Sequence, residues 1–153
     1  MSESLNIDEE IFGELVKFYS ETFHLPPLAA KIYAYLIFDF EREGVCFDEF
    51  VRVFAASKSS VSGNLNLLLN AKLINDGHVL NERKRFFVIN ENFTTMRFEN
   101  IINRMKQEIT ILDKLQAFKP YKEEKQQQRL AIYKSLLNKN IKNIEETLLK
   151  IKK

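Results

Sequence analysis

The sequence predicts a mainly helical fold with a minor β component, and three observations predict it. Breaks are few: 153 residues contain 4 Gly and 3 Pro, a poor supply for a chain of many short strands. Apolar residues recur at three- and four-residue spacing through most of the length, which puts them on one side of a helix. That spacing gives way near Asn75-Asp76-Gly77, a strong turn signal, and is replaced by the strand-like run Phe86-Phe87-Val88-Ile89.

The first helix is expected from Asp8, whose carboxylate can accept from the open amides of the first turn. Ile7 and Phe12 stand at the spacing of a hydrophobic staple, and Glu9, Glu10 and Glu14 lie near the positive end of the helix dipole. Ile11, Leu15, Phe18, Tyr19, Thr22 and Phe23 make one broad apolar face. Pro26-Pro27 closes this helix and opens the next, because proline suits a first turn and not a helix interior. The second helix runs from about Pro27 to Glu41, with Ala30, Tyr33, Ala34, Ile37 and Phe38 as its buried stripe. After Gly44, Phe47 to Ala55 reads as a short third helix with Phe47, Phe50, Val51 and Phe54 inward.

A fourth helix follows Ser57, its natural N-cap. At 100° per residue Val61, Leu65 and Leu68 share one face, while Ser59, Ser62, Gly63, Asn66 and Asn70 share the opposite one. Each of those outward residues is small or a neutral hydrogen-bonding group. A helix that enters a DNA major groove needs such side chains, because its axis must come close to the base edges; an ordinary solvated face is the plainer alternative. The chain then turns at Asn75-Asp76-Gly77, and His78-Val79-Leu80 and Arg85 to Ile89 read as two strands around Asn81-Glu82-Arg83-Lys84. Asn81 suits the left-handed conformation of such a loop. Three adjacent cations in a hairpin repel one another, but they are well suited to gripping phosphate or entering a minor groove. Two short helices, a turn and a basic hairpin are the layout of a winged helix-turn-helix.

Beyond Asn90 the chain is helical again. Phe98, Ile101, Ile102, Met105, Ile109, Leu112 and Leu115 form a stripe that ends near Lys119-Pro120. Glu123 to Arg129 is either a linker or the solvated start of the last helix. From there Leu130, Leu137, Ile144 and Ile151 recur every seventh residue, with Tyr133, Ile141 and Leu148 between them, a short coiled-coil-like seam interrupted at Asn140. The expected organisation is an N-terminal dimerisation helix over residues 1–24, a winged helix-turn-helix over 25–92 and C-terminal dimerisation helices over 93–153.

Charge is unevenly spread. The net charge is +2, but residues 1–57 carry 4 basic and 11 acidic side chains, a net of −7. Lys58 to Arg85 carries 5 basic and 2 acidic, a net of +3, and Lys119 onward 10 basic and 4 acidic, a net of +6. Binding by phosphate neutralisation requires a local surface of this kind and not a basic whole chain. A lone cysteine excludes an internal disulfide and fits a reducing compartment. The first ten residues are polar and acidic, unlike a signal peptide, and the longest apolar run, Ile32 to Phe38, is too short to span a bilayer. A cytoplasmic protein with no membrane association is expected.

Several segments together resemble a known family. Leu25-Pro26-Pro27-Leu28-Ala29-Ala30-Lys31-Ile32-Tyr33-Ala34-Tyr35-Leu36, Ser57-Lys58-Ser59-Ser60-Val61-Ser62-Gly63-Asn64-Leu65 and Glu82-Arg83-Lys84-Arg85-Phe86-Phe87 are similar, in order and spacing, to the GbsR branch of MarR-like transcriptional regulators. The similarity covers roughly residues 11 to 118 and rests on the three motifs jointly. It implies a homodimer whose terminal helices pair, a pseudo-palindromic operator in double-stranded DNA, and a small-molecule effector. Two positions depart from the pattern. Gly63 stands where members often carry a basic side chain, and Lys72 where a glycine usually precedes the first wing strand. On this reading Lys58, Ser59, Ser62, Gly63 and Asn66 face the major groove, Arg83, Lys84 and Arg85 contact backbone or minor groove, and a homodimeric repressor is expected. The alternative is a winged-helix module that binds protein, for which Leu67 on the flank of the helix is the apolar candidate.

Catalysis is not expected, nor a cofactor or a metal. His24 and His78 have no Cys or Asp at ligand spacing, no glycine loop cradles phosphate, and no serine has a base partner. Cys46 lies between Val45 and Phe47 and reads as a small hydrophobe before it reads as a redox sensor. The 13 phenylalanines could cage a quaternary ammonium, but phenylalanine at helical spacing reads first as core. The carboxylates of 8–14 and 41–49 read as helix-start and solvated charges.

Overall fold

The computed structural model describes residues 4–78 and 83–151. The chain divides into two compact units, Met1–Glu91 and Asn92–Lys153. The first holds α1 (Glu9–Phe23), α2 (Pro27–Ile37), β1 (Val45–Cys46), α3 (Phe47–Phe54), α4 (Lys58–Asn70), β2 (Ile74–His78) and β3 (Arg85–Ile89); the second holds α5 (Phe93–Phe118) and α6 (Glu124–Ile151). This is a winged helix-turn-helix, mainly α with a three-stranded antiparallel sheet in the order β1-β3-β2. Among the described residues no helix is long and apolar enough to cross a membrane.

Asp8 caps α1 as expected, its carboxylate accepting from the Ile11 amide at 2.9 Å. The helix stops at His24, which takes the left-handed conformation (φ 54°) and so accounts for one of the two histidines. α1 packs on its neighbours through rings: Phe12 stacks on Phe54, and Tyr19 meets Tyr33 edge-on at 4.9 Å. Ile11 and Phe18, expected on the same apolar face, are 49% and 56% exposed.

The second helix is central and not one-sided. Ala29, Ala30, Ile32, Tyr33, Ala34, Tyr35 and Leu36 are all buried, so α2 is covered nearly all round and its expected single stripe is too narrow. It also ends four residues before the expected Glu41. Asp39, itself buried, draws the chain away from the helix: its carboxylate accepts from the amides of Glu43 (3.1 Å) and Gly44 (2.9 Å). Arg42 and Gly44 take positive φ in that turn, and a Cβ on Gly44 would meet Phe86 Cβ at 3.0 Å. Glu49 corrects a second expectation. Expected among the helix-start and solvated carboxylates, it does lie in the first turn of α3, yet it is not solvated: it is 3% exposed and accepts from the Tyr35 hydroxyl at 2.6 Å. That hydroxyl in turn accepts from the Leu5 amide at 2.9 Å, joining α2, α3 and the N-terminal segment. Desolvation, then the bond to Glu49, pushes the Tyr35 phenol up to about 12.

The turn expected at Asn75-Asp76-Gly77 is a strand instead. These residues pair with Val88, Phe87 and Phe86. The chain has already reversed at Lys72 (φ 64°), where the Leu73 amide donates to Leu68 and the Lys72 amide to Leu69. Those two bonds are the Schellman ending of α4. With the helix closed there, the next residues are free to extend along β3. The second unexpected strand is β1, two residues paired with Phe86 and Phe87 on the other edge of β3, with Cys46 half-buried. Asn81 and Glu82, with the Val79-Leu80 part of the expected first wing strand, lie outside the described residues.

In the second unit the polar stretch after Glu123 proves to be helix, the start of α6. The seven-residue seam is largely consumed within the chain: Ile141 and Leu148 pack with Ile102 of α5, joined by Phe98, Met105, Ile109 and Ile144. The Tyr133 hydroxyl donates to Glu108 at 2.5 Å, and Lys134 pairs with Asp113. Ile111, Leu115, Phe118, Ile132 and Leu136 remain exposed.

Candidate nucleic-acid interface

Ser57 initiates α4. Its Oγ accepts from the Ser60 amide at 3.1 Å and contacts the Ser60 and Ser59 hydroxyls at 3.0 and 3.3 Å. Val61, Leu65 and Leu68 are buried at 0, 2 and 0% exposure. At about 1.5–3 kcal/mol for each such side chain, they fix the rotation of the helix about its axis. Ser59, Ser62, Gly63, Asn66 and Asn70 are consequently turned outward, all exposed, with Lys58 beside them in the first turn. Nothing lies within 4 Å of a Cβ built on Gly63, so its lack of a side chain leaves the surface flat and open. No acidic residue occurs between Glu49 and Asp76. The face is therefore uncharged except at its basic end, and an approaching anion meets no repulsion from it.

Asn90 ties the wing to the end of α4. Its amide donates to the Leu73 carbonyl (3.0 Å), its Nδ2 to the Lys72 carbonyl (2.8 Å), and its Oδ1 accepts from Asn75 Nδ2 (3.3 Å). At the outer end of the sheet Arg85 stands opposite His78. Its Nε donates to Asp76 at 2.9 Å, its Nη2 bonds the same oxygen, and the guanidinium lies 5.1 Å from the centre of the Phe87 ring. Arg83 and Lys84 precede β3 and are exposed.

The eight residues singled out in the sequence thus fall into three groups. Lys58, Ser59, Ser62, Gly63 and Asn66 form one exposed surface of α4, Arg83 and Lys84 are exposed at the wing, and Arg85 is a strand residue engaged with Asp76 and Phe87. Sequence reasoning missed Asn90 and Asp76. Asn90 carried no periodic signal, and Asp76 was absorbed into an apparent turn. Arg42 was missed as well: it reaches from the α2–β1 turn to Glu91 at 2.6 Å and to the Asp39 carbonyl. Among the described residues no group of three or more His, Cys, Asp or Glu side chains is placed to hold a metal.

No protein-family model matches this sequence, and none of the curated proteins does. The fold does match solved structures. A crystal structure described as that of a transcriptional regulator gives a TM-score of 0.59 at 19% identity, over 94% of this chain and 97% of that one. MepR of Staphylococcus aureus scores lower: its complex with DNA gives 0.42 at 14% identity, covering 86% and 90% of the two chains. MepR bound to ethidium bromide gives 0.42 at 16%, covering 86% and 89%. The first of these shares the fold with this chain.

Proposed function

We propose that this chain is a DNA-binding transcriptional regulator, a homodimeric repressor whose paired winged helices read a pseudo-palindromic operator. The observation that carries the reading is the outward face of α4, where Ser59, Ser62, Gly63 and Asn66 are all exposed and free of carboxylates. Such a face admits close approach to base edges. In this reading Lys58, Arg83 and Lys84 neutralise phosphates, Ser62 and Asn66 read bases, and Arg85 either shares its guanidinium with a phosphate or holds the wing through Asp76. The fold shared with a structure described as a transcriptional regulator supports the same class. The terminal helices supply the dimer contacts, the resemblance to the GbsR branch extends the proposal to a small-molecule effector, and the site of action is the cytoplasm.

The test is fluorescence anisotropy of labelled duplexes over a salt series. Binding at low salt with log K falling linearly against log salt is expected, with a slope near −0.9 per phosphate neutralised. A protein that binds no duplex at low salt would falsify the reading. Binding to a protein partner through the exposed Leu67 would then be the function to pursue.

A further inference from the structure

Lys72 occupies the left-handed region (φ 64°), where a side chain is unusual and glycine ordinary. Its carbonyl accepts from the side chain of Asn90, a residue 8% exposed at the far end of β3. The same side chain accepts from Asn75 on β2, and the Asn90 backbone amide closes on Leu73. One residue therefore holds three successive parts of the chain: the turn that ends α4, the residue leading into the wing, and the first wing strand. Backbone pairing fixes β2 against β3 along their length, but it does not orient that pair relative to α4. The Asn90 side chain contributes to that orientation beside the packing of buried Leu73, Ile74 and Phe87, because it bonds both the carbonyl of Lys72, in the turn that closes α4, and Asn75 on β2. An Asp there could still accept from Asn75 but has no donor for the Lys72 carbonyl.

We propose that Asn90 is the positioning residue of the DNA interface, setting the angle between the recognition helix and the wing so that Arg83 and Lys84 reach phosphate while α4 lies in the groove. This rests on the DNA-binding reading above and adds to it the device that makes the two contact surfaces act together. Asn90 touches no DNA in this scheme. Its effect is seen in how the wing's charges count.

The experiment is a double-mutant cycle read by salt dependence. Asn90→Asp, the Arg83→Gln/Lys84→Gln pair and the triple variant are measured with one duplex over a salt series, in the full chain. Wing removal alone is expected to reduce the slope by about 2. Asn90→Asp is expected to cause most of the same reduction, and the triple variant to add little, since charges already out of reach cost nothing to remove. Wild type binding with additive slopes in the triple variant overturns the positioning role and leaves the DNA-binding reading intact. Absence of any slope change on wing removal overturns the positioning role together with the phosphate role of Arg83 and Lys84, whereas absence of binding to any duplex at low salt overturns the DNA-binding reading itself. Should Asn90→Asp fold poorly, Lys72→Gly is introduced alongside it to relax the left-handed turn. In that background recovery of the melting temperature without recovery of the slope is expected, and recovery of both shows that the turn, and not Asn90, sets the wing.

Discussion

The fourth helix and the wing lie in one unit of the chain, yet they are built on different principles. α4 is held by three buried side chains and presents a face of hydroxyls, amides and a glycine. The wing presents cations and is held by hydrogen bonds and one ion pair, with Asn90 at its root and Asp76–Arg85 further out. Apolar burial fixes a helix's rotation without placing charge near the surface, so it suits an element whose outer face must stay short and neutral. The sheet is anchored at its base by buried Val45, Ile74 and Phe87, but beyond them the wing has little apolar surface to bury and is set by directional bonds instead. The difference divides the proposed labour: selectivity on the helix, phosphate affinity on the wing.

The most severe way to break the contrast is to remove its foundation. Leu65→Ala leaves a cavity under α4 and is expected to cost about 2–5 kcal/mol, lowering the denaturation midpoint and abolishing binding to every duplex alike. A subtler change separates the two surfaces. Asn66→Ala or Ser62→Ala should leave the salt slope unchanged and alter preference among duplex sequences by about 1–3 kcal/mol per base read, measured by competition with a randomised duplex pool; a changed slope with unchanged preference would reverse the assignment.

Two smaller effects sharpen the comparison. Gly63→Ala is expected to stabilise α4 by about 1 kcal/mol, since the helix gains a better former and the added methyl meets nothing. It should weaken DNA binding, because the methyl would occupy the space that close approach requires. A melting temperature and an affinity that rise together would show that the face does not enter a groove. Asp76→Asn releases Arg85 from an exposed ion pair, with a stability change below about 1 kcal/mol. Affinity is expected to rise and the salt slope to steepen by about 1 as the freed guanidinium meets phosphate.

The smallest effect on binding belongs to the core beneath both surfaces. The Tyr35 phenol is raised from 10.0 to about 12 in the fold, so its contribution to stability is fully present below pH 10 and is lost as pH rises towards 12. Tyr35→Phe should flatten that alkaline limb of the unfolding free energy while leaving the sequence preference of binding untouched.

Much of the interface was legible from residues near one another in the chain. Ser57 as a cap, the Val61-Leu65-Leu68 stripe and the neutral face opposite it follow from helical geometry acting over four residues at a time. The same local logic placed Asp8, Pro27 and the start of α3. It failed where partners are distant in sequence. Asn75-Asp76-Gly77 has the composition of a turn, but pairing with β3 extends it. Glu49 looks like a surface acid until Tyr35, 14 residues earlier, is folded against it. Arg85 looked like a free cation beside Arg83 and Lys84, and Asp76, nine residues earlier, engages it. The seven-residue repeat of α6 looked like an open seam and is largely filled by α5.

The sequence by itself thus determined where most of the helices lie, that Arg83, Lys84 and Arg85 follow α4 at the start of a strand, and which side of α4 faces outward. Period and capping are properties of neighbouring residues, and no tertiary contact competes with them there. The tertiary structure alone decided that Asn75-Asp76-Gly77 extends along β3, that Asn90 bonds Lys72 and Asn75, and that α2 is buried nearly all round. Each of those depends on hydrogen bonds or packing between residues far apart in sequence, whose benefit exists once the chain has brought them together.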